Sequence, residues 1–125
     1  MRIHVDERRQ FFGDIFDTPN GDVNLVKLAR RQTIAWHKHA RQDDKIFVVK
    51  GRLLVQSYHM LTDTRHVWTL SALKQRAPLI IPAGWWHGYE SQAAETIVLQ
   101  FNGPGKWDGT DEQRHAIEAD GVWAW

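Results

Sequence analysis

Apolar positions recur with a period of two along most of this chain, the signature of strands with one buried face. In VNLVKLA, residues 23–29, the apolar residues stand at 23, 25, 26 and 28. QTIAWHKH, residues 32–39, alternates: Ile34 and Trp36 are predicted on one face, Thr33, Ala35, His37 and His39 on the other. KIFVVKGRLLVQSYHM, residues 45–60, predicts a hairpin, because two β-rich runs meet at Lys50-Gly51 and glycine takes positive φ without steric cost. HVWTL (66–70) follows the polar turn LTDTR. PLIIPAG (78–84) is a short strand closed by Pro and Gly, and ETIVLQF (95–101) alternates again. Roughly seven or eight strands with closely spaced turns predict an all-β sandwich or barrel.

Beyond residue 102 the pattern changes. Thr110 with Gln113 predicts a capping box that opens a short helix, with Gly121 as its stop. Trp107, Trp123 and Trp125 are expected to fold back over the sheet or to reach a partner chain. The organisation predicted is one domain over 1–125: an N-terminal arm (1–22), a barrel (23–102) and a C-terminal tail (103–125).

Composition narrows the function classes. The 125 residues are 42 % hydrophobic, enough for a sizeable core in one domain. The formal net charge of +1 gives no global electrostatic case for nucleic acid or for a membrane surface. No apolar run approaches the ~20 residues of a membrane-spanning helix. There are no cysteines, so thiolate nucleophiles and thiolate metal sites are excluded. The absence of cysteine and the charged MRIHVDERRQFFG start fit a cytoplasmic protein. Seven tryptophans point to a lined cavity or an interface.

The candidate chemistry lies in two spacings. One is His37-x-His39-x4-Asp44-x6-Gly51; the other is Pro82-x-Gly84-x2-His87. On a strand, His37 and His39 leave the same face, separated by about 6.6 Å of rise. If that face points inward, both imidazoles enter one cavity. Three imidazoles and a carboxylate suit a divalent transition metal (Mn, Fe, Ni, Co or Zn), and the ligands do not choose among these. Alternatively His37 is a catalytic base, with His39 or Tyr89 as the acid, since imidazole titrates near pH ~6.5. In that reading Arg31, Lys38, Arg41 and Lys45 are candidates to meet a diphosphate, although Lys38 should face away from the histidines. The remaining reading is a polar strand end with no ligand. His4, His59, His66 and His115 lack such company and read as surface. Trp85 and Trp86 are adjacent, so one should face in, able to stack on a sugar or base, and one out.

The two spacings resemble the paired motifs of the cupin superfamily, small jelly-roll β-barrels. Asp44 stands where that pattern usually has glutamate, and Ser91 where it often has asparagine. A longer resemblance covers nearly the whole chain, to the sugar-nucleotide branch of cupins typified by dTDP-4-dehydrorhamnose 3,5-epimerase. It runs through VDERRQFFGDIF (5–16), LSALKQRAPLIIPAGWWHGYES (70–91) and KWDGTDEQRH (106–115). By position His37 matches that family's catalytic-base histidine. The chain departs where the epimerases have lysine, at Asp44, and where they have the catalytic tyrosine, at Phe101. The related 3,4-ketoisomerases share a histidine at the position of His39. The resemblance implies a homodimer and a carbohydrate or sugar-nucleotide ligand; an epimerase- or isomerase-like enzyme is the leading reading, and Trp85, Trp86, Phe101 and Lys45 are the candidates to line its pocket. A non-catalytic metal- or carbohydrate-binding cupin, and a metal-dependent oxygenase or isomerase of another small molecule, are the alternatives.

Overall fold

The computed structural model describes residues 1–125. It contains eleven strands and no helix: β1 (Arg2–Val5), β2 (Arg9–Gly13), β3 (Asp22–Ala29), β4 (Thr33–His39), β5 (Asp43–Lys50), β6 (Arg52–His59), β7 (Thr64–Ser71), β8 (Leu79–Ile81), β9 (Trp86–Ser91), β10 (Glu95–Gly103) and β11 (Glu112–Arg114). They form two antiparallel sheets packed face to face. One has the order β1-β2-β3-β10-β5-β8 and the other β11-β4-β9-β6-β7. The alternating runs 23–29, 45–60 and 95–101 therefore fold as predicted strands, and the arm 1–22 contributes two strands to the first sheet. No helix of the structure is long and apolar enough to cross a membrane.

The inward positions change character along the strands. At one end they are aliphatic: Val26 and Leu28 on β3, Ile46 and Val48 on β5, and Val98 on β10 face Ile34, Leu53, Val55 and Tyr89 of the other sheet. Each such side chain, fully buried, contributes about 1.5–3 kcal/mol. Toward the other end the same inward phase carries Asn24, Asp44, Gln100, Asn102, His37, His39 and His87, all buried. Polar residues in a buried phase must find partners. That requirement makes this end of the barrel a site rather than a core.

Three sequence expectations are corrected. Residues 45–60 are not a hairpin. β5 pairs with β10 and β8, whereas β6 pairs with β7 and β9, so Lys50-Gly51 is a corner where the chain crosses between sheets. Gly51 sits there at φ 86°, and a Cβ would lie 2.4 Å from the Glu95 carbonyl oxygen. Strict alternation in β4 also fails. Ile34 pairs with Tyr89 and His37 with His87, which leaves an extra residue on β4 between these pairs. This bulge puts Ile34 and His37 on the same inward face and turns Trp36 outward, against Trp86 and Tyr58. Finally, the tail has no helix at 110–121. Thr110 donates backbone and hydroxyl hydrogen bonds to the Asp108 carboxylate (2.9 and 2.7 Å), and 112–114 add a strand to the edge of β4. Edge pairing prevails over a helix too short to be stable alone.

The rest of the tail folds back over the outer face of the second sheet. Trp123 and Trp125 pack on Trp36, whose Nε1 donates to the Trp123 carbonyl at 3.0 Å. His115, expected at the surface, stacks on Trp123 with ring centroids 4.0 Å apart.

Candidate metal centre

His37 and His39 come from β4, Asp44 from β5 and His87 from β9, so two facing sheets supply the group. All four are buried, and their ligand atoms lie within 4.8 Å of one another. The Pro82-x-Gly84-x2-His87 spacing has a mechanical reason. Gly84 takes φ 91°, a left-handed conformation that favours glycine, and its N–H donates to the His39 carbonyl at 2.7 Å. That contact ties the end of β4 to the start of β9. It also sets the Trp85 carbonyl 3.0 Å from His87 Nδ1, leaving Nε2 to face Asp44. Asp43, the outward neighbour, accepts from the Ala83 N–H at 2.8 Å and holds the same turn.

Asp44 is the electrostatic centre. Its carboxylate meets His87 Nε2, lies 3.5 Å from His39 Nε2, and accepts from the amides of Asn102 and of Gln100, the latter at 3.3 Å. Asn24 in turn donates to Asn102 at 2.7 Å. These amides fix the carboxylate in the absence of any positive lysine or arginine contact. The two inner histidines are shifted in opposite directions. Burial, then the neighbouring His87 and His39, holds His37 well below the usual histidine range. Burial pulls His87 down too, but the charge and hydrogen bond of Asp44 outweigh it and the net shift is upward. His39 Nδ1 is buried without a hydrogen-bond partner, an orphaned ring nitrogen of the kind a bound ion or its water satisfies. Donor type, convergence and this orphan fit a divalent metal; the set does not select which one.

Above the group opens a cavity of about 460 Å³, lined at its floor by His37, His39 and Tyr89. Tyr89 is buried, and burial pushes its phenol up to about 12, so it stays protonated at neutral pH. The other predicted pocket residues lie elsewhere. Lys45 and Phe101 are on the outer face of the first sheet, because their neighbours Asp44 and Gln100 point in. Trp86 is on the outer face of the second sheet, and Trp85 packs at the edge of the aliphatic core near His59 and His66. Lys38 lies over the Trp86 ring, facing away from the histidines as expected, and Arg41 pairs with Asp108 and Asp111.

Sequence reasoning missed the amides Asn24, Gln100 and Asn102, whose signal was polar residues in an inward strand phase. It also missed Asp111, which accepts from the N–H groups of Arg41 and Gln42 (2.9 and 3.1 Å) and so shapes the loop between His39 and Asp44. Arg2, Arg8, Arg9 and Arg114 line the cavity wall and were not foreseen either. The wall comes from β1, β2, the turn between them and β11, short segments with no clear periodic pattern.

No family model matches the chain, and no curated protein sequence matches it. Solved structures do. CapF from Staphylococcus aureus, described as a capsular polysaccharide assembling protein, superposes with a TM-score of 0.80 at 22 % identity over 90 % of this chain and 31 % of its own. Oxalate oxidase in complex with glycolate gives 0.61 at 23 % identity, covering 68 % of this chain and 42 % of that one. A protein from Klebsiella pneumoniae with a double-stranded β-helix domain gives 0.69 at 18 %, covering 89 % and 82 %. The chain spans about a third of the length of the CapF chains it matches. Two facing antiparallel sheets that superpose on these structures identify the fold as the double-stranded β-helix of the cupins.

Proposed function

We propose that this chain is a metal-dependent cupin enzyme of the epimerase or isomerase type, acting on a carbohydrate or sugar nucleotide. The observation that carries the reading is the buried group His37, His39, Asp44 and His87 under an open cavity. His37, His39, Asp44 and His87 would hold the ion. A divalent ion held by them would supply Lewis acidity toward a substrate carbonyl or hydroxyl oxygen. Tyr89, protonated and beside His37 with centroids 6.0 Å apart, is the cavity group able to give a proton to such an oxygen. The likeness to CapF, a polysaccharide-assembling protein by its description, supports the carbohydrate assignment.

A second reading has its own observation. Asp44 is already engaged by His87, Gln100 and Asn102, and His37 is held neutral by burial, which is what a proton-abstracting base needs. The two readings separate in one measurement. Elemental analysis of protein purified without added metal should give near-stoichiometric transition metal. Under about 0.1 equivalent, with His39→Ala folded normally, removes the metal reading and leaves His37 as base. Exchange of a proton for deuterium beside the ketone of a 4-keto sugar nucleotide, lost in His37→Ala and slowed in Tyr89→Phe, tests the reaction type.

The proposal includes a homodimer. The outer face of the first sheet, unlike that of the second, is not covered by the tail. Across it Ile3, Phe12, Leu25, Leu99 and Phe47 stand in cross-strand register.

A further inference from the structure

The wall of the cavity is cationic. Arg2, Arg8, Arg9 and Arg114 line it against two carboxylates, Asp6 and Glu112. Three of the four arginines are internally compensated. Arg2 pairs with buried Asp22 at 3.2 Å, Arg8 with Asp6 at 3.2 Å, and Arg114 with Glu112 at 2.9 Å. Arg9 has no carboxylate partner, and its Nε is buried without any hydrogen-bond partner. It stands on the inward face of β2, paired with Leu28, while Phe11 on the same face packs against the core. Its guanidinium lies 5.5 Å from the Phe11 ring centroid, and its charge is felt at both His37 and Tyr89. A buried guanidinium donor left unpaired is costly, and its fork fits an oxoanion with two parallel hydrogen bonds.

We infer that Arg9 is the anion anchor of this cavity, so that the natural ligand carries a carboxylate or phosphate group seated on the Arg9 guanidinium. The inference rests on the proposal that this cavity is a small-molecule site, but not on a metal being bound. A cavity of about 460 Å³ suits a ligand of monosaccharide size with one such group. Neutral sugars are then poor ligands, because they leave the Nε–H unmet.

The test follows the side-chain Nε–H signal of Arg9 by NMR in metal-free, chelator-treated protein. Inorganic phosphate and acetate are titrated separately. A saturable shift of that signal in the parent chain and in Arg31→Gln is the expected result, with the anion affinity of Arg9→Gln, which lacks the signal, about tenfold or more weaker by calorimetry. Saturation by phosphate alone assigns a phosphorylated ligand, by acetate alone a carboxylate, and by both the shared oxoanion chemistry. No saturable shift with either anion, or equal anion binding by Arg9→Gln, overturns the inference. If Arg9→Gln does not fold, Arg9→Lys keeps the charge and lacks the Nε–H; anion affinity equal to that of the parent chain would then overturn it. Metal content of Arg9→Gln should match the parent, so loss of the metal reading leaves this test intact.

Discussion

His87 is held between two oxygens: the Trp85 carbonyl lies 3.0 Å from Nδ1, and the Asp44 carboxylate meets Nε2. The first contact fixes the tautomer and the ring plane; the second sets its charge. Asp44 is therefore a structural partner as well as a ligand candidate. Asp44→Ala strands the buried His87, Gln100 and Asn102 together. It should cost about 3–5 kcal/mol of stability in urea unfolding, because one partner of a buried pair is removed. Asp44→Glu keeps the charge and should lose less while still binding metal. A loss under about 1 kcal/mol in Asp44→Ala would mean that the carboxylate is not engaged as described.

Metal binding should depend on the imidazoles unequally. His39 has an orphaned nitrogen and no strong partner in the protein, so His39→Ala removes a ligand at little structural cost. Its expected effect is a loss of metal affinity of about 10–100-fold by calorimetry, with unchanged circular dichroism. His87→Ala should lose both metal and stability. Equal metal content in His39→Ala and the parent would exclude His39 as a ligand.

The pH dependence of the metal-free protein follows from two opposed shifts. His37 titrates below its unfolded value of about 6.5, so the unfolded chain takes up more protons as pH falls. Its contribution is present above that value and is lost on acidification. His87 is raised, so its contribution is full below about pH 6.5 and is lost as pH rises through the folded value. Urea midpoints between about pH 5 and 9 should show His37→Gln flattening the acid side and His87→Gln flattening the alkaline side. Identical profiles in parent and both variants would refute the assignment. Metal affinity itself should fall with acid, since protons compete for the same nitrogens.

Much of the fold and half of the site were legible because strand alternation and two short spacings act locally. His37, His39, Asp44 and His87 converge because each occupies an inward phase near the same end of the barrel. The errors share a cause. Which sheet a strand joins is a long-range property, so Gly51 reads as a hairpin turn although it is a corner. The β4 bulge is set by pairing with β9 and leaves no local mark, which is why Trp36 seemed to share a face with Ile34. The pocket wall was hidden for the same reason. Arg9 and Arg114 face the histidines only because β2 and β11 add to strands distant in sequence. Trp85, Trp86, Phe101 and Lys45 were attractive as chemistry, but pleat phase or the start of β9 carries each of them off the cavity.

The end of the tail, beyond β11, should contribute to stability without touching the chemistry. Trp123 touches Trp36, Tyr58 and Trp86 on the face of the second sheet opposite the histidines. Trp123 is only partly buried, so Trp123→Ala should cost about 1–3 kcal/mol in unfolding, less than a fully buried tryptophan, while leaving metal content unchanged. A variant that loses metal but not stability would reverse the role given to this segment.

The proposed dimer makes the last prediction. In the first sheet Ile3 pairs with Phe12, Phe12 with Leu25, Leu25 with Leu99 and Leu99 with Phe47, so one apolar row crosses five strands on the outer face. Ile3 is 60 % exposed and Leu99 38 %. Val5, Val49 and Ile80, nearby on the same sheet, are exposed as well. Six strands at ~4.8 Å span ~24 Å, and ~20 Å along the strands gives a flat face of about 480 Å². Doubled over two copies, that area stays under the ~1,200 Å² that marks small, weak interfaces, so a dimer built on it is a weak one. Lys27, Lys45, Asp43 and Glu95 accompany the row with both signs of charge, so a second copy meets no net like-charge field. Two such sheets packing face to face would bury the row as the two sheets within the barrel bury theirs. Sedimentation velocity should show a dimer at micromolar concentration, and Leu99→Glu should give a folded monomer with parent metal content. A monomeric parent chain, or a Leu99→Glu variant that stays dimeric, would place any assembly on another surface.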